Sequence, residues 1–121
     1  MGEIVAVLGA TDHSGKFANR AIKLLKSKGH TVLPVNPLYE NVDGSRCCRT
    51  LADCGETIDT VTVYVNPDRA ASYIDDIISV NPKRVILNPG TENPLMTERL
   101  KEAGITVIED CTLVMLNRNE F

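Results

Sequence analysis

The sequence predicts an α/β fold: a three-layer sandwich built on a five-stranded, mainly parallel sheet of order 3-2-1-4-5. Two observations carry this. Strand-like and helix-like segments alternate along the 121 residues, the pattern of crossover-connected parallel strands. The strand segments are also continuous apolar runs rather than alternating ones, as strands covered on both faces require.

The first run is Ile4-Val5-Ala6-Val7-Leu8, ending at Gly9. Residues 16–28 follow with Ala18, Ala21, Ile22 and Leu25 on one helical stripe, and Gly29 stops that helix. Thr31-Val32-Leu33-Pro34-Val35 reads as a second strand. Residues 36–59 read as loop, with a one-turn helix near Leu51–Cys54. Residues 60–65 form a β-branched third strand. Asn66-Pro67 is a cap followed by proline at the first helical position, and Ala70, Ile74, Ile77 and Ile78 supply the buried stripe. Asn81-Pro82 ends that helix before the fourth strand, residues 84–87. Asn93-Pro94 repeats the cap signal, with Met96, Leu100 and Ala103 facing inward and Gly104 closing the helix. A fifth strand covers residues 105–108, and a short terminal helix covers 112–117. A start in mid-sheet with right-handed crossovers gives the Rossmann-like order 3-2-1-4-5. One domain, residues 1–121, is expected.

Composition narrows the function classes. Hydrophobic residues make up 43% and charged residues 24%, a globular balance, and with five aromatics and no Trp the core must be aliphatic. The net charge of −3 supplies no field for nucleic acid, and no apolar run is long enough for a membrane span. Cys47, Cys48, Cys54 and Cys111 show neither CxxC spacing nor a zinc-site pattern, so reduced thiols in a cytoplasmic protein are expected.

Ligands of an open parallel sheet bind beyond the carboxyl ends of its strands. Three segments there begin with Asn-Pro: Asn36-Pro37, Asn66-Pro67 and Asn88-Pro89. Each proline ends strand pairing, and each asparagine offers a donor and an acceptor. Turn-and-cap chemistry and ligand contact both remain open for these three. The first strand-to-helix turn, Gly9-Ala10-Thr11-Asp12-His13-Ser14-Gly15-Lys16, is no P-loop: five residues separate its glycines where four are needed, and Phe17 stands where Ser or Thr should hold magnesium. It still offers a close-approach glycine, backbone N–H groups, the Thr11 and Ser14 hydroxyls and a helix N-terminus, a site suited to pyrophosphate. A basic helix face is ordinarily just solvated, but Lys16 and Arg20 sit at the anion-binding end, where positive charge does not favour the helix.

The end of the second strand discriminates among nucleotides. An NAD site needs Asp or Glu there for the ribose hydroxyls; here Asn36 follows Val35, and the first acid is Glu40. NAD is disfavoured, while NADP and coenzyme A, which carry a ribose phosphate, stay open. Catalytic signals are thin. His13 lies in the anion turn, His30 reads as a surface residue just past a helix end, and Cys111 reads as a small buried residue or a reactive thiol.

The ordered set Val5-Ala6-Val7-Leu8-Gly9-Ala10-Thr11, Arg20, Val32-Leu33-Pro34-Val35-Asn36-Pro37, Gly44, Leu51-Ala52-Asp53, Ile58-Asp59, Gly90 and Ala103-Gly104-Ile105-Thr106-Val107 leading to Asp110-Cys111 resembles small stand-alone CoA-binding proteins, the YccU-like family. These are similar to the nucleotide domain of the succinyl-CoA ligase α subunit. The sequence departs from that family at Tyr39, Asn88-Pro89 and Thr112. The resemblance implies that the Gly9-Ala10-Thr11 turn and Lys16 hold the phosphates. It implies that the loops at Asn36-Pro37 and at Asn66, Pro67 and Arg69 enclose the adenosine, and that Asn88-Pro89-Gly90 lies on the pantetheine side. The function so implied is binding of CoA or an acyl-CoA without catalysis, as a sensor or carrier with an unspecified protein partner. An NADP-binding regulator and an in-trans subunit of an acyl-CoA ligase are the alternatives.

Overall fold

A computed structural model describes residues 2–121. Five strands form one fully parallel sheet: β1 (Ile4–Leu8), β2 (Thr31–Val35), β5 (Thr60–Val63), β6 (Arg84–Leu87) and β7 (Thr106–Glu109), in the spatial order β2-β1-β5-β6-β7. The chain starts in mid-sheet and winds outward both ways. The single parallel bridge between Val35 and Cys48 fills the third place of the 3-2-1-4-5 pattern. Thr60–Val63 therefore takes the fourth place, beside β1, and not the outer place beyond β2 that counting it third implies.

β1 is an interior strand, paired on both sides, and Val5 to Leu8 are 0–1% exposed. Its alternate residues feed two cores, because successive side chains point to opposite faces. Val5 and Val7 pack with Ala18, Ile22 and Leu25 of α1 (Phe17–Ser27) and Leu116 of α5 (Thr112–Asn117). Ala6 and Leu8 pack with Ile74 and Ile77 of α3 (Ile74–Val80) and Met96 and Leu100 of α4 (Pro94–Glu102). This is the expected three-layer, aliphatic arrangement.

The predicted helix after the third strand is broken. α2 (Pro67–Ala70) passes through a 3-10 turn at Ala71–Tyr73 into α3. The first turn of α3 holds Asp76, whose carboxylate accepts the N–H groups of Leu51 and Ala52 at 2.8 and 3.2 Å and pins the long segment after β2. That segment, expected as loop, contains a ribbon of β3 (Asn41–Val42) and β4 (Ser45–Arg46). Its turn residues Asp43 and Gly44 have φ of 50° and 76°. Two positive φ values define the two-residue hairpin turn that Asp-Gly favours, so the dipeptide itself was the missed signal.

The third strand ends at Val63, two residues earlier than expected. His30 is half-buried rather than superficial: its Nδ1 accepts the N–H of Glu3 at 2.9 Å, and its ring lies 5.0 Å from that of Phe121. No helix among the described residues is long and apolar enough to cross a membrane.

Candidate functional site

The carboxyl ends of β1, β5 and β6 open into a cleft of about 390 Å3, whose walls include Gly9, Thr11, Lys16, Tyr64, Asn66 and Gly90. The strand order puts it there, because the loops after these neighbouring strands leave the sheet side by side.

Gly9 is required at this point for two reasons. Its φ is +90°, and a Cβ there would come within 3.0 Å of the Tyr64 carbonyl carbon and 3.1 Å of Val65 Cγ1. The N–H groups of Gly9 and Ala10 do not face a ligand, contrary to expectation. Both donate to the Val35 carbonyl, at 3.0 and 3.2 Å. Ala10 itself is fully buried, and its own carbonyl accepts the Asn36 amide at 2.8 Å. The anion-binding potential therefore moves to the start of α1. Lys16, the N-cap, has extended backbone and makes no side-chain cap, and no acid occupies the first turn. The first N–H groups of a helix have no intrahelical partner, and Phe17 and Ala18 line the cleft with Lys16. A positive helix end beside a lysine suits an anion.

Thr11 lines the cleft and is held from three sides. Its hydroxyl meets the Tyr39 hydroxyl at 3.2 Å and accepts the His13 N–H, while its carbonyl accepts Asn19 Nδ2 at 2.8 Å. Asn19 escaped the sequence reading. It is 2% exposed, and its Oδ1 has no partner. The available signal was a polar residue on an otherwise apolar helix stripe, between Ala18 and Ala21 and Ile22.

The other expected site residues divide. Asn66 is exposed on the cleft wall, with its Oδ1 accepting the Arg69 N–H at 3.0 Å as the cap of α2. Gly90 reaches the cleft with φ +89°, and its N–H donates to Glu92. Asn36 works as a strut: Nδ2 donates to Ala10, and Oδ1 accepts the Leu38 N–H at 2.9 Å. Pro37 belongs to a separate cleft on the far side of the turn. Ser14 and Arg69 are exposed, and Pro67 starts α2 with its carbonyl accepting Asn93 Nδ2; none of the three is part of the cleft wall. Arg20 is turned away. Its guanidinium lies 5.4 Å from the Phe17 ring centroid, and it borders the groove between α1 and α5 with Lys23 and Leu113.

Asn88 carries the clearest correction. It is 2% exposed, and its amide nitrogen donates to Thr62 Oγ1 at 2.7 Å and to the Val63 carbonyl at 2.9 Å. Its oxygen accepts the Thr112 N–H at 2.9 Å. The Thr62 and Thr112 hydroxyls close the network at 2.8 Å. Asn88 thus ties β5, β6 and α5 together beneath the cleft, because a buried polar group must find partners.

Tyr64 was also missed. It lines the cleft, its buried hydroxyl has no partner in good hydrogen-bond geometry, and burial pushes its pKa up to about 12 against the lowering effect of the nearby Thr112 and Thr62 hydroxyls. Burial likewise raises the Cys47 and Cys54 thiols, so neither carries the lowered pKa of a reactive thiolate.

Relatives share both the fold and stretches of sequence. The crystal structure of an uncharacterized protein superposes with a TM-score of 0.91 at 39% identity, covering 100% of this chain and 99% of that one. A Thermus thermophilus protein superposes at 0.92 and 30% identity, covering 99% and 91% of the two chains. An ADP-forming acetate–CoA ligase of Methanocaldococcus jannaschii is 31% identical over 61 residues, which is 50% of this chain and 9% of the ligase. The family model described as CoA binding domain matches residues 3–117, so nearly the entire sheet and its helices are accounted for, and the chain belongs to the CoA-binding-domain family.

Proposed function

We propose that this protein binds coenzyme A or an acyl-CoA at the carboxyl edge of its sheet and performs no chemistry on it. The observation that carries the reading is the junction of Gly9 with the uncapped start of α1. A Cβ-free turn lies tight against Tyr64, and the open helix end and Lys16 face one cleft. The Gly9 turn fixes where α1 begins, and the open helix end and Lys16 suit a diphosphate, which needs diffuse positive charge rather than a single counter-ion.

On this reading the diphosphate lies at Lys16 and the first turn of α1. The adenosine lies toward β2, where the residue directly after the strand is Asn36 and not an acid, its Oδ1 occupied by the Leu38 N–H. The pantetheine arm crosses the cleft past Asn66 and Gly90. The group on the cleft wall beside that arm favours holding over reacting: Tyr64 stays protonated near neutral pH.

The test is ligand-dependent melting. CoA at millimolar concentration raises Tm while NAD does not, and Lys16→Ala reduces the shift. Absence of any shift with CoA, acetyl-CoA and longer acyl-CoAs overturns the proposal. The likeness to part of an ADP-forming ligase supports a second reading, a subunit completing such an enzyme in trans. Acyl-CoA synthesis appearing only when a nucleotide-grasping protein is added would select it.

A further inference from the structure

A groove of about 450 Å3 runs between α1 and α5, lined by Arg20, Lys23, Leu24, Ser27, Leu113 and Asn117. Leu24 and Leu113 are half-buried there and give it an apolar floor. Phe17 stands one turn before Arg20 on α1, and Val114 one turn before Asn117 on α5, so each adjoins a groove residue on its helix. They are 65% and 39% exposed, two of the four large hydrophobic side chains left in solvent among the described residues. A single exposed apolar residue is ordinary, but several gathered at one groove with a polar rim mark an interaction surface.

That rim is positive and uncompensated. Residues 16–28 contain Lys16, Arg20, Lys23, Lys26 and Lys28 and no acid, although the net charge of the chain is −3. Lys26 pairs with Asp43 at 3.3 Å, whereas Arg20 and Lys23 are exposed and form no ion pair among the described residues. α5 brings no charge of its own to the groove. The Arg20 guanidinium lies 5.4 Å from the Phe17 ring centroid, which holds an aromatic ring and a cation side by side at one end. Arginine and aromatic side chains over an apolar floor are the composition of a protein interface. The eleven residues of α1 span about 16 Å, room for roughly three turns of a helix laid along it. A two-fold pairing of the groove with a second copy would set Arg20 and Lys23 against the same residues, which like-charge repulsion opposes.

We infer that the groove between α1 and α5 docks an acidic amphipathic helix of another protein, its apolar side chains on Leu24 and Leu113 and its carboxylates on Arg20 and Lys23. Arg20, which stands outside the cleft at the carboxyl edge, then serves a protein contact. The inference does not rest on the nucleotide reading. Phe17 also lines the cleft at the carboxyl edge, so the variants of the test leave it in place.

The probe is a synthetic helical peptide of about 18 residues, with leucines along one face and glutamates on both flanks. It is titrated, without nucleotide, into the intact isotope-labelled chain and followed by amide NMR. Signals of α1 and α5 shift, with a Kd of about 10–100 μM, as for a small transient interface. A peptide with lysines in place of the glutamates binds at least about tenfold more weakly. Arg20→Glu with Lys23→Glu weakens the acidic peptide at least about tenfold, and Leu113→Ala weakens it about fivefold. Lys23→Glu alone, with a loss of about threefold, serves if the double variant does not fold. No shift at millimolar peptide, shifts confined to the carboxyl edge, or equal binding of a peptide with serines for its leucines overturns the inference. A single-stranded oligonucleotide or a phosphatidylserine vesicle that gives the same shifts at lower concentration also overturns it, and assigns the face to nucleic acid or membrane. Self-association in sedimentation velocity that is abolished by Arg20→Glu with Lys23→Glu overturns it in favour of a second copy.

Discussion

Replacing Gly9 by alanine isolates the close approach on which the first strand-to-helix turn depends. Two terms act against the variant. The φ of +90° is unfavourable for any residue with a Cβ, and the new methyl group meets the Tyr64 carbonyl carbon at 3.0 Å and its oxygen at 3.1 Å. The dihedral term is about 1–2 kcal/mol, and overpacking adds about 1–3 kcal/mol. Gly90 supplies the control, since its φ is +89° but a Cβ there meets nothing within 4 Å. Gly90→Ala bears only the dihedral term. With an unfolding entropy of ~2 cal/mol/K per residue, 1 kcal/mol corresponds to roughly 4 °C in a chain of this size. Gly9→Ala should lower Tm by about 8–20 °C and Gly90→Ala by about 4–8 °C. Thermal unfolding by circular dichroism measures both. Equal losses would refute the steric argument, and a change under about 3 °C for Gly9→Ala would refute the required geometry altogether.

Two further outcomes follow from the buried polar groups. Asn88→Ala strips partners from Thr62, Val63 and Thr112 in a site that is 2% exposed; urea unfolding should show a loss of about 2–4 kcal/mol, and a loss under about 1 kcal/mol would deny its role as a strut. Tyr64 has its pKa raised by burial to about 12 from the ordinary 10. Its contribution to stability is therefore complete below pH 10 and is lost as pH rises through 12. Tyr64→Phe should unfold at or above the wild-type temperature near neutral pH, because it removes an unpartnered hydroxyl, and should lack that alkaline decline. An identical alkaline limb in both proteins would place the cause elsewhere.

Much of the frame was legible because it is written in local chemistry. The caps Asn66 and Asn93, accepting the N–H groups of Arg69 and Met96 at 3.0 Å, are where Asn-Pro placed them. The apolar run of β1 could only be a strand buried on both faces. From these followed the fold class, the carboxyl edge, and Gly9, Thr11, Lys16, Asn66 and Gly90 as neighbours in space.

Distribution of work among chemically equivalent groups was decided only by the tertiary structure. Three Asn-Pro dipeptides at one edge look alike in sequence, yet Asn66 faces the cleft, Asn36 braces Ala10, and Asn88 is buried among Thr62, Val63 and Thr112. Lys16 and Arg20 share a helix face, yet one lines the cleft and the other the groove beside α5. Which atom remains free for a ligand depends on what long-range packing has already satisfied. Each amide or hydroxyl can be occupied by a residue tens of positions away, and local sequence carries no record of that occupation. Spacing and propensity determined which edge of the sheet should carry a site; the packing of β2, β5, β6 and α5 decided which residues were left to line its cleft.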